Sequence, residues 1–296
     1  MVSEENCFLV CGADSLVGQG LIEALNFRGR RTLATTRRKA SAVGSRIYMD
    51  FEKPDTYELP CGVNYVFVVA AATNYDRCET DPNARKINVF WTPQFVRAAL
   101  AHGAFVTFVS TNSVFGGDKP WPHEDAPHAP GIEYARQKSD AEREIHSVAR
   151  ELDALNRLNI VRLTKILSST TSPIPSWRET WTRGGVIEPF SDLIFAPMSV
   201  PFVGTALAQI GETRVPGNLH LSGAENVSYV DFAFALAKQW HIDRSRISPT
   251  TSNEKGVHIP FKPKFSGLGM LRTHELCGLS PQSLESVIAD ISVTPP

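Results

Sequence analysis

The chain lacks any run of about 18 consecutive apolar residues, the length a helix needs to cross a bilayer, so no membrane span is expected. It also lacks an excess of charge of either sign. Lys and Arg total 30 against 31 Asp and Glu, a formal charge of -1. Such a balance gives no bulk attraction for nucleic acid or an anionic membrane, and any anion site has to be local. Paired cysteines are missing too. Cys7, Cys11, Cys61, Cys78 and Cys277 are odd in number and include no Cys-x-x-Cys, the pattern of free thiols in a reducing compartment. Cys7 and Cys11, four apart on one strand, would stand about 13 Å apart, too far for a disulfide. The eight histidines have no paired spacing and no Cys or Asp company, so no metal is expected. The short acidic start, Met-Val-Ser-Glu-Glu-Asn, does not resemble a secretion signal, and the expected location is cytoplasmic.

What is present is a globular α/β pattern. The 296 residues, 42% hydrophobic, are ample for a buried core. Short apolar runs read as strands at Cys7–Cys11, Arg31–Thr36, Arg46–Asp50, Tyr65–Ala70, Phe105–Ser110 and Ile160–Leu163. Longer amphipathic stretches between them read as helices through about Phe27, from Pro82 to His102 and from Tyr134 to Asn156. Near-continuous apolar strands alternating with helices predict a doubly wound parallel sheet covered on both faces, a Rossmann fold. After about Thr164 the texture becomes rich in Ser, Thr and Pro, and a smaller α/β lobe is expected. Helices are expected at Val200–Ile210 and Tyr229–Gln239, and a strand at Gly217–Ser222. The predicted division is a dinucleotide-binding domain over 1–165 with a return segment at about 200–222. A substrate-binding lobe takes 166–199 and 223–296.

The turn Gly12-Ala-Asp-Ser-Leu-Val-Gly18 follows the first strand and opens the first helix. Backbone N–H groups at such a start hold a pyrophosphate, and glycines allow its close approach. Ser15 stands where a central glycine is usual; the bland alternative is a turn that merely packs strand on helix. At the end of the second strand, where NAD sites carry an acid for the ribose 2′-hydroxyl, the sequence is Thr35-Thr36-Arg37-Arg38. Two guanidinium groups suit a 2′-phosphate, so NADP is expected over NAD. Asp50, after the third strand, is a candidate acceptor for the adenine amino group, with Phe51 beside it.

Tyr134 and Lys138, four apart on an expected helix, share one face. A free phenol, with a pKa of about 10, is a poor acid–base group near neutrality, and an adjacent ammonium is expected to draw it down. Thr111 lies at the C-terminal end of the fifth strand, the edge where such sheets bind ligands. Its hydroxyl can hold a carbonyl oxygen. Tyr-x-x-x-Lys alone is weak, since such pairs commonly sit on a solvated helix face, but Thr111, Tyr134 and Lys138 in order behind a dinucleotide turn form a strong set.

These residues resemble the extended short-chain dehydrogenases, and among them the family of dTDP-4-dehydrorhamnose reductases, over nearly the whole chain. Val66-Phe-Val-Val-Ala-Ala-Ala72, Ile87-Asn-Val89, Val109 to Gly116, Tyr134-Ala-Arg-Gln-Lys138, Gly217 to Gly223 and Ser228 to Ala233 carry the likeness. The resemblance implies that Tyr134 donates a proton, Thr111 orients the carbonyl, and Lys138 binds the ribose. It further implies that Gly12, Asp14, Ser15, Leu16 and Gly18 line the pyrophosphate, that Ala70, Ala71 and Ala72 pack near the ribose, and that the chain forms a homodimer. The implied reaction is NADPH-dependent reduction of a keto group, a 4-keto group above all, on a nucleotide-linked sugar. Departures bear on the substrate. Asn112-Ser113 replaces the usual Asp-Tyr, Leu268-Gly269-Met270 replaces a Leu-Asp motif, and Lys165 stands where relatives carry an uncharged residue. The acid pair with which dehydratases eliminate water is missing after Thr111.

Asn112, Ser113, Trp177 and Phe190 are the weaker substrate candidates. Trp177, with Arg178, Trp181 and Arg183, is set to stack a base, although aromatics at helical spacing more often pack a core. The segment from Lys255 to Lys264, with Phe261, is a candidate cover. Two rival functions remain: an epimerase that recycles a retained NAD, against which Arg37 and Arg38 speak, and a non-catalytic NADP-binding regulatory subunit.

Overall fold

The computed structural model describes residues 7–53 and 57–292, so the N-terminal segment read above for a secretion signal lies outside the described residues. The strands are β1 (Cys7–Cys11), β2 (Arg31–Thr36), β3 (Arg46–Tyr48), β4 (Val63–Val68), β5 (Phe105–Thr111), β6 (Leu158–Leu163), β7 (Lys165–Leu167), β8 (Ile194–Phe195), β9 (Pro197–Ser199), β10 (Gly217–Leu221) and β11 (Val227–Ser228). The helices are α1 (Leu16–Phe27), α2 (Tyr75–Thr80), α3 (Pro82–Arg85), α4 (Thr92–Ala101), α5 (Glu133–Glu151), α6 (Ile174–Thr182), α7 (Val200–Thr213), α8 (Tyr229–Gln239), α9 (Leu271–Cys277) and α10 (Leu284–Ile291). Among the described residues no helix is long and apolar enough to cross a membrane.

Seven strands form one parallel sheet in the order β10-β6-β5-β4-β1-β2-β3, the Rossmann arrangement the sequence predicts. The chain runs outward from β1 to β3, then returns to place β4 on the other side of β1. That reversal opens a crevice at the carboxyl ends of β1 and β4, where ligands bind such sheets. One core, with Leu9, Val66, Phe95 and Ile145, lies under α4 and α5. The core on the other face, with Phe8, Leu21, Phe67 and Leu207, lies under α1 and α7. Those two helices approach so closely that a Cβ on Gly204 would stand 2.3 Å from the Gly20 carbonyl oxygen. A third core, including Trp181, Phe232 and Val287, gathers α6, α8 and α10.

Several element boundaries differ from the sequence expectation by a few residues, and three departures have a local reason. β4 stops at Val68 because the amides of Val69 and Ala70 both turn to the Cys11 carbonyl, at 2.9 Å each, and leave the ladder. α5 ends at Glu151, short of Asn156, with Asp153 in the left-handed region at φ 50°. The helix expected over Pro82–His102 is interrupted by a π turn, Lys86–Trp91. Pro93 has no N–H for the regular ladder, and the widened turn lets Thr92 bond Ile87 through both its amide and its hydroxyl.

Candidate active site

The crevice between β1 and β4 holds a cavity of about 510 Å³. Gly12 enters it at φ +96°, and a Cβ there would stand 2.5 Å from the Ala70 amide nitrogen. Only glycine fits this position. Ser15, in place of a central glycine, caps α1: its hydroxyl donates to the Gly12 carbonyl (2.7 Å) and accepts from the Gly18 amide (3.0 Å). The turn is thus closed by a side chain while the helix start stays open to an anion. Thr35 accepts from the Gly12 amide at 3.1 Å.

The cavity wall includes Gly12, Asp14, Ser15, Arg37, Arg38, Asp50, Phe51 and Ala70 to Ala72, whereas Leu16 and Gly18 lie outside it. Arg37 and Arg38 are exposed. Among the described residues, neither guanidinium has a hydrogen-bond or ion-pair partner. Asp14 would oppose an anion here, but its carboxylate is taken up by Arg46 and by the Thr36 hydroxyl (2.9 Å). Arg46 and the wall residue Arg77 escaped the sequence analysis; each sits far in sequence from the glycine turn. Asn88, within the π turn, accepts from the Ala72 amide and donates to the Ala72 carbonyl, both at 2.9 Å, fixing the loop beyond β4.

A second cavity, about 520 Å³, opens beside the first, and Thr73 borders both. Thr111, Asn112, Ser113 and Tyr134 line it. Burial pushes the Tyr134 phenol well above its ordinary value, and Tyr75 adds to the rise. Thr111 is the neighbour that draws the phenol down, while its own hydroxyl donates to Ser113 at 3.2 Å. The expected lowering by Lys138 is absent from this arrangement. The Lys138 ammonium instead donates to the Val109 carbonyl at 2.8 Å and lies 3.9 Å from the centre of the Phe108 ring. Burial pulls it down to about 7, against the opposing influence of Glu142. Helical spacing put the two residues on one face, but a four-carbon stem let the cation turn to the strand behind.

Below that strand Glu142 and Arg162 form a buried ion pair, 2.7 Å at its shortest. Arg162 also donates to the Glu124 carbonyl (2.8 Å), and Ser110 donates to Glu142. This lattice joins α5, β5 and β6 directly beneath Thr111, where a satisfied buried network rigidifies its surroundings.

Two substrate candidates move elsewhere. Trp177 is 7% exposed and packs with Trp181, Phe232 and the edge of Tyr229, so it supports the cavity from behind rather than lining it. Phe190 bridges to Thr250 and is not in the wall; the next turn of chain, Leu193 to Phe195, is. Tyr75 and Tyr229 both line the cavity and were missed. Tyr75 lies 5.4 Å from Tyr134, ring to ring. Its neighbours in sequence are polar and carry no motif, whereas Tyr229 sits inside a stretch that bears the family likeness. The Ile259 to Ser266 segment closes the outer side, held by Lys262 to Asp192 (2.8 Å) and by Asn112 to the Ser266 carbonyl (2.8 Å). Among the described residues no cluster of three metal-ligating side chains occurs.

This chain resembles proteins of known name along most of its length. The family model for the RmlD substrate binding domain matches residues 6–293. A Streptomyces antibioticus protein named as a probable dTDP-4,6-dihydroxy-2-methyloxan-3-one 4-ketoreductase is 27% identical over 88% of this chain and 86% of its own. The rat (Rattus norvegicus) methionine adenosyltransferase 2 subunit beta is 24% identical over 78% of each chain. The crystal structure of a dTDP-4-dehydrorhamnose reductase from Clostridium acetobutylicum superposes with a TM-score of 0.81 at 21% identity, over 97% of this chain and 99% of that one. The chain belongs to the RmlD substrate-binding domain family, oxidoreductases of the extended short-chain dehydrogenase type.

Proposed function

We propose that the protein uses NADPH to reduce a keto group, a 4-keto group above all, on a nucleotide-linked sugar. The observation that carries this reading is that Thr111 and Tyr134 line one cavity, which shares a border with the Gly12 crevice at Thr73. The crevice fits a dinucleotide: a side chain at Gly12 would collide with Ala70, and Arg37 and Arg38 offer free guanidinium groups where a 2′-phosphate would lie. When bound there, the nicotinamide supplies the hydride. Thr111 holds the carbonyl oxygen, Tyr134 gives that oxygen its proton, and Lys138, swung from Val109 toward the ribose, lowers the phenol. Tyr75 and the Ile259 to Ser266 segment keep water from the reacting carbon. In this division of labour, residues 1–165 and 200–222 serve the dinucleotide, and 166–199 and 223–296 serve the sugar.

The test is NADPH oxidation with a panel of dTDP- and UDP-linked 4-keto sugars, repeated with NADH. Turnover with at least one, faster with NADPH, is the expected result. Purified protein that retains NAD after desalting would point to epimerisation instead. The likeness to a methionine adenosyltransferase subunit favours one further reading, a regulatory NADP-binding role. Tight NADPH binding with no oxidation by any sugar in the panel would replace the reductase by that role.

A further inference from the structure

Lys165 opens β7, two residues beyond Leu163, the residue paired with Thr111 across the sheet. It is therefore at the same end of the sheet as the Thr111 hydroxyl. Its side chain lines the second cavity, whose wall is otherwise made of hydroxyl, amide, aromatic and aliphatic groups with no Asp or Glu. Among the described residues the ammonium has neither an ion pair nor a hydrogen bond. Although the residue is exposed, partial desolvation by the cavity wall draws the ammonium below the usual lysine value, with no neighbouring acid to hold it up. Two lysines of the covering segment differ: Lys262 and Lys255 are paired with Asp192 and Glu188. Lys165 is exposed to the open cavity, so its ammonium, with no acid beside it, is available to an anionic group that enters there.

We propose that Lys165 recognises an oxyanion of the substrate, so that the sugar nucleotide is held by a charge-assisted contact close to the reacting carbon. The inference rests on the reductase reading for what occupies the cavity. Two parts of such a substrate offer the chemistry: a carboxylate on the sugar ring, or the diphosphate. An ammonium serves either, as a point charge with three donors.

UDP, UDP-glucose and UDP-glucuronic acid separate the two sources, because the two sugars differ by one carboxylate. Each is titrated calorimetrically into the full chain and into Lys165→Met and Lys165→Arg, with and without NADP+. Loss of one charge-assisted contact weakens binding roughly ten- to a hundredfold. A loss in Lys165→Met confined to UDP-glucuronic acid supports the contact with the carboxylate as its source. An equal loss for all three supports it with the diphosphate as source. In either case Lys165→Arg restores most of the affinity, which a merely misfolded variant could not do. Binding of all three unchanged in Lys165→Met, or no uptake of any by the wild type, overturns the proposal. NADP+ titration alone reports on the cofactor reading: its failure there is visible whatever the sugar nucleotides do.

Discussion

The two cavities are nearly equal in size, about 510 and 520 Å³, yet they are put together in opposite ways. The Gly12 crevice is drawn from residues 12 to 87, chiefly the ends of β1, β2 and β4 and the chain that follows β3. The second cavity draws on residues from Thr73 to Ser266, with walls from β5, α5, β7, β8, α8 and the covering segment. Their electrostatics differ as sharply. The crevice mixes Arg37, Arg38 and Arg77 with Asp14, Asp50 and Glu52, whereas the second cavity has Lys165 and no acid. Binding a common cofactor needs a local motif that many sequences can share. Choosing a substrate needs side chains that only the finished fold brings together.

The largest break in that contrast should come where the cavities meet. Tyr134→Phe keeps the ring and removes the proton, so kcat should fall by roughly 10²–10⁴, the usual worth of a positioned acid. NADPH affinity, measured by fluorescence titration, should stay as it is. Undiminished turnover would remove Tyr134 from the chemistry and leave the second cavity as a binding site only.

A smaller effect is expected from Arg37→Ala combined with Arg38→Ala. The double variant should weaken NADPH binding roughly ten- to a hundredfold through lost charge-assisted contacts, while NADH binding is left nearly unchanged. Equal losses for both cofactors would mean that these guanidinium groups do not read the 2′-phosphate.

These two predictions also mark how far the sequence could be read. Gly12, Ser15, Arg37, Thr111 and Tyr134 stand at strand ends or on one helix face, where spacing alone fixes their neighbourhood. Trp177 and Tyr229 show the limit. Periodicity says that Trp177 and Trp181 share a face, but not that the face meets α8, nor that Tyr229 rather than Trp177 comes through to the cavity. Phe190 missed the wall by three residues for the same reason: the path of an irregular loop is set by distant contacts such as Asp192 with Ser252, at 2.6 Å. Arg46 was invisible as a partner because Asp14 lies 32 residues away, across two strands. Lys138 is a different case, since its place on α5 was legible and its rotamer was not.

That rotamer makes a pH prediction for the cofactor-free protein. Lys138 sits at about 7 when folded against 10.5 as an ordinary lysine. Between those values the unfolded chain binds a proton that the folded chain refuses, so stability rises with pH through that window and is lost as pH falls toward 7. One such proton gives a slope of at most about 1.4 kcal/mol per pH unit. Denaturant melts of the wild type should show this slope, and Lys138→Met should flatten it. Identical pH profiles for the two would mean that the ammonium is not desolvated against Phe108.

The smallest effect should separate the cavities most cleanly. Tyr75 lines the second cavity with Ser113 and adds to the rise in the Tyr134 phenol, yet it is outside the wall of the Gly12 crevice. Tyr75→Phe keeps the ring against Tyr134 and removes one hydroxyl from the cavity wall, where a single hydrogen bond is worth about 0.5–1.5 kcal/mol. KM for the keto sugar should therefore rise by a few fold, with the NADPH dissociation constant unmoved. A change in NADPH affinity of the same size would show that the two cavities act as one site, coupled through Thr73, and that the contrast between a local crevice and an assembled pocket holds for their construction but not for their binding.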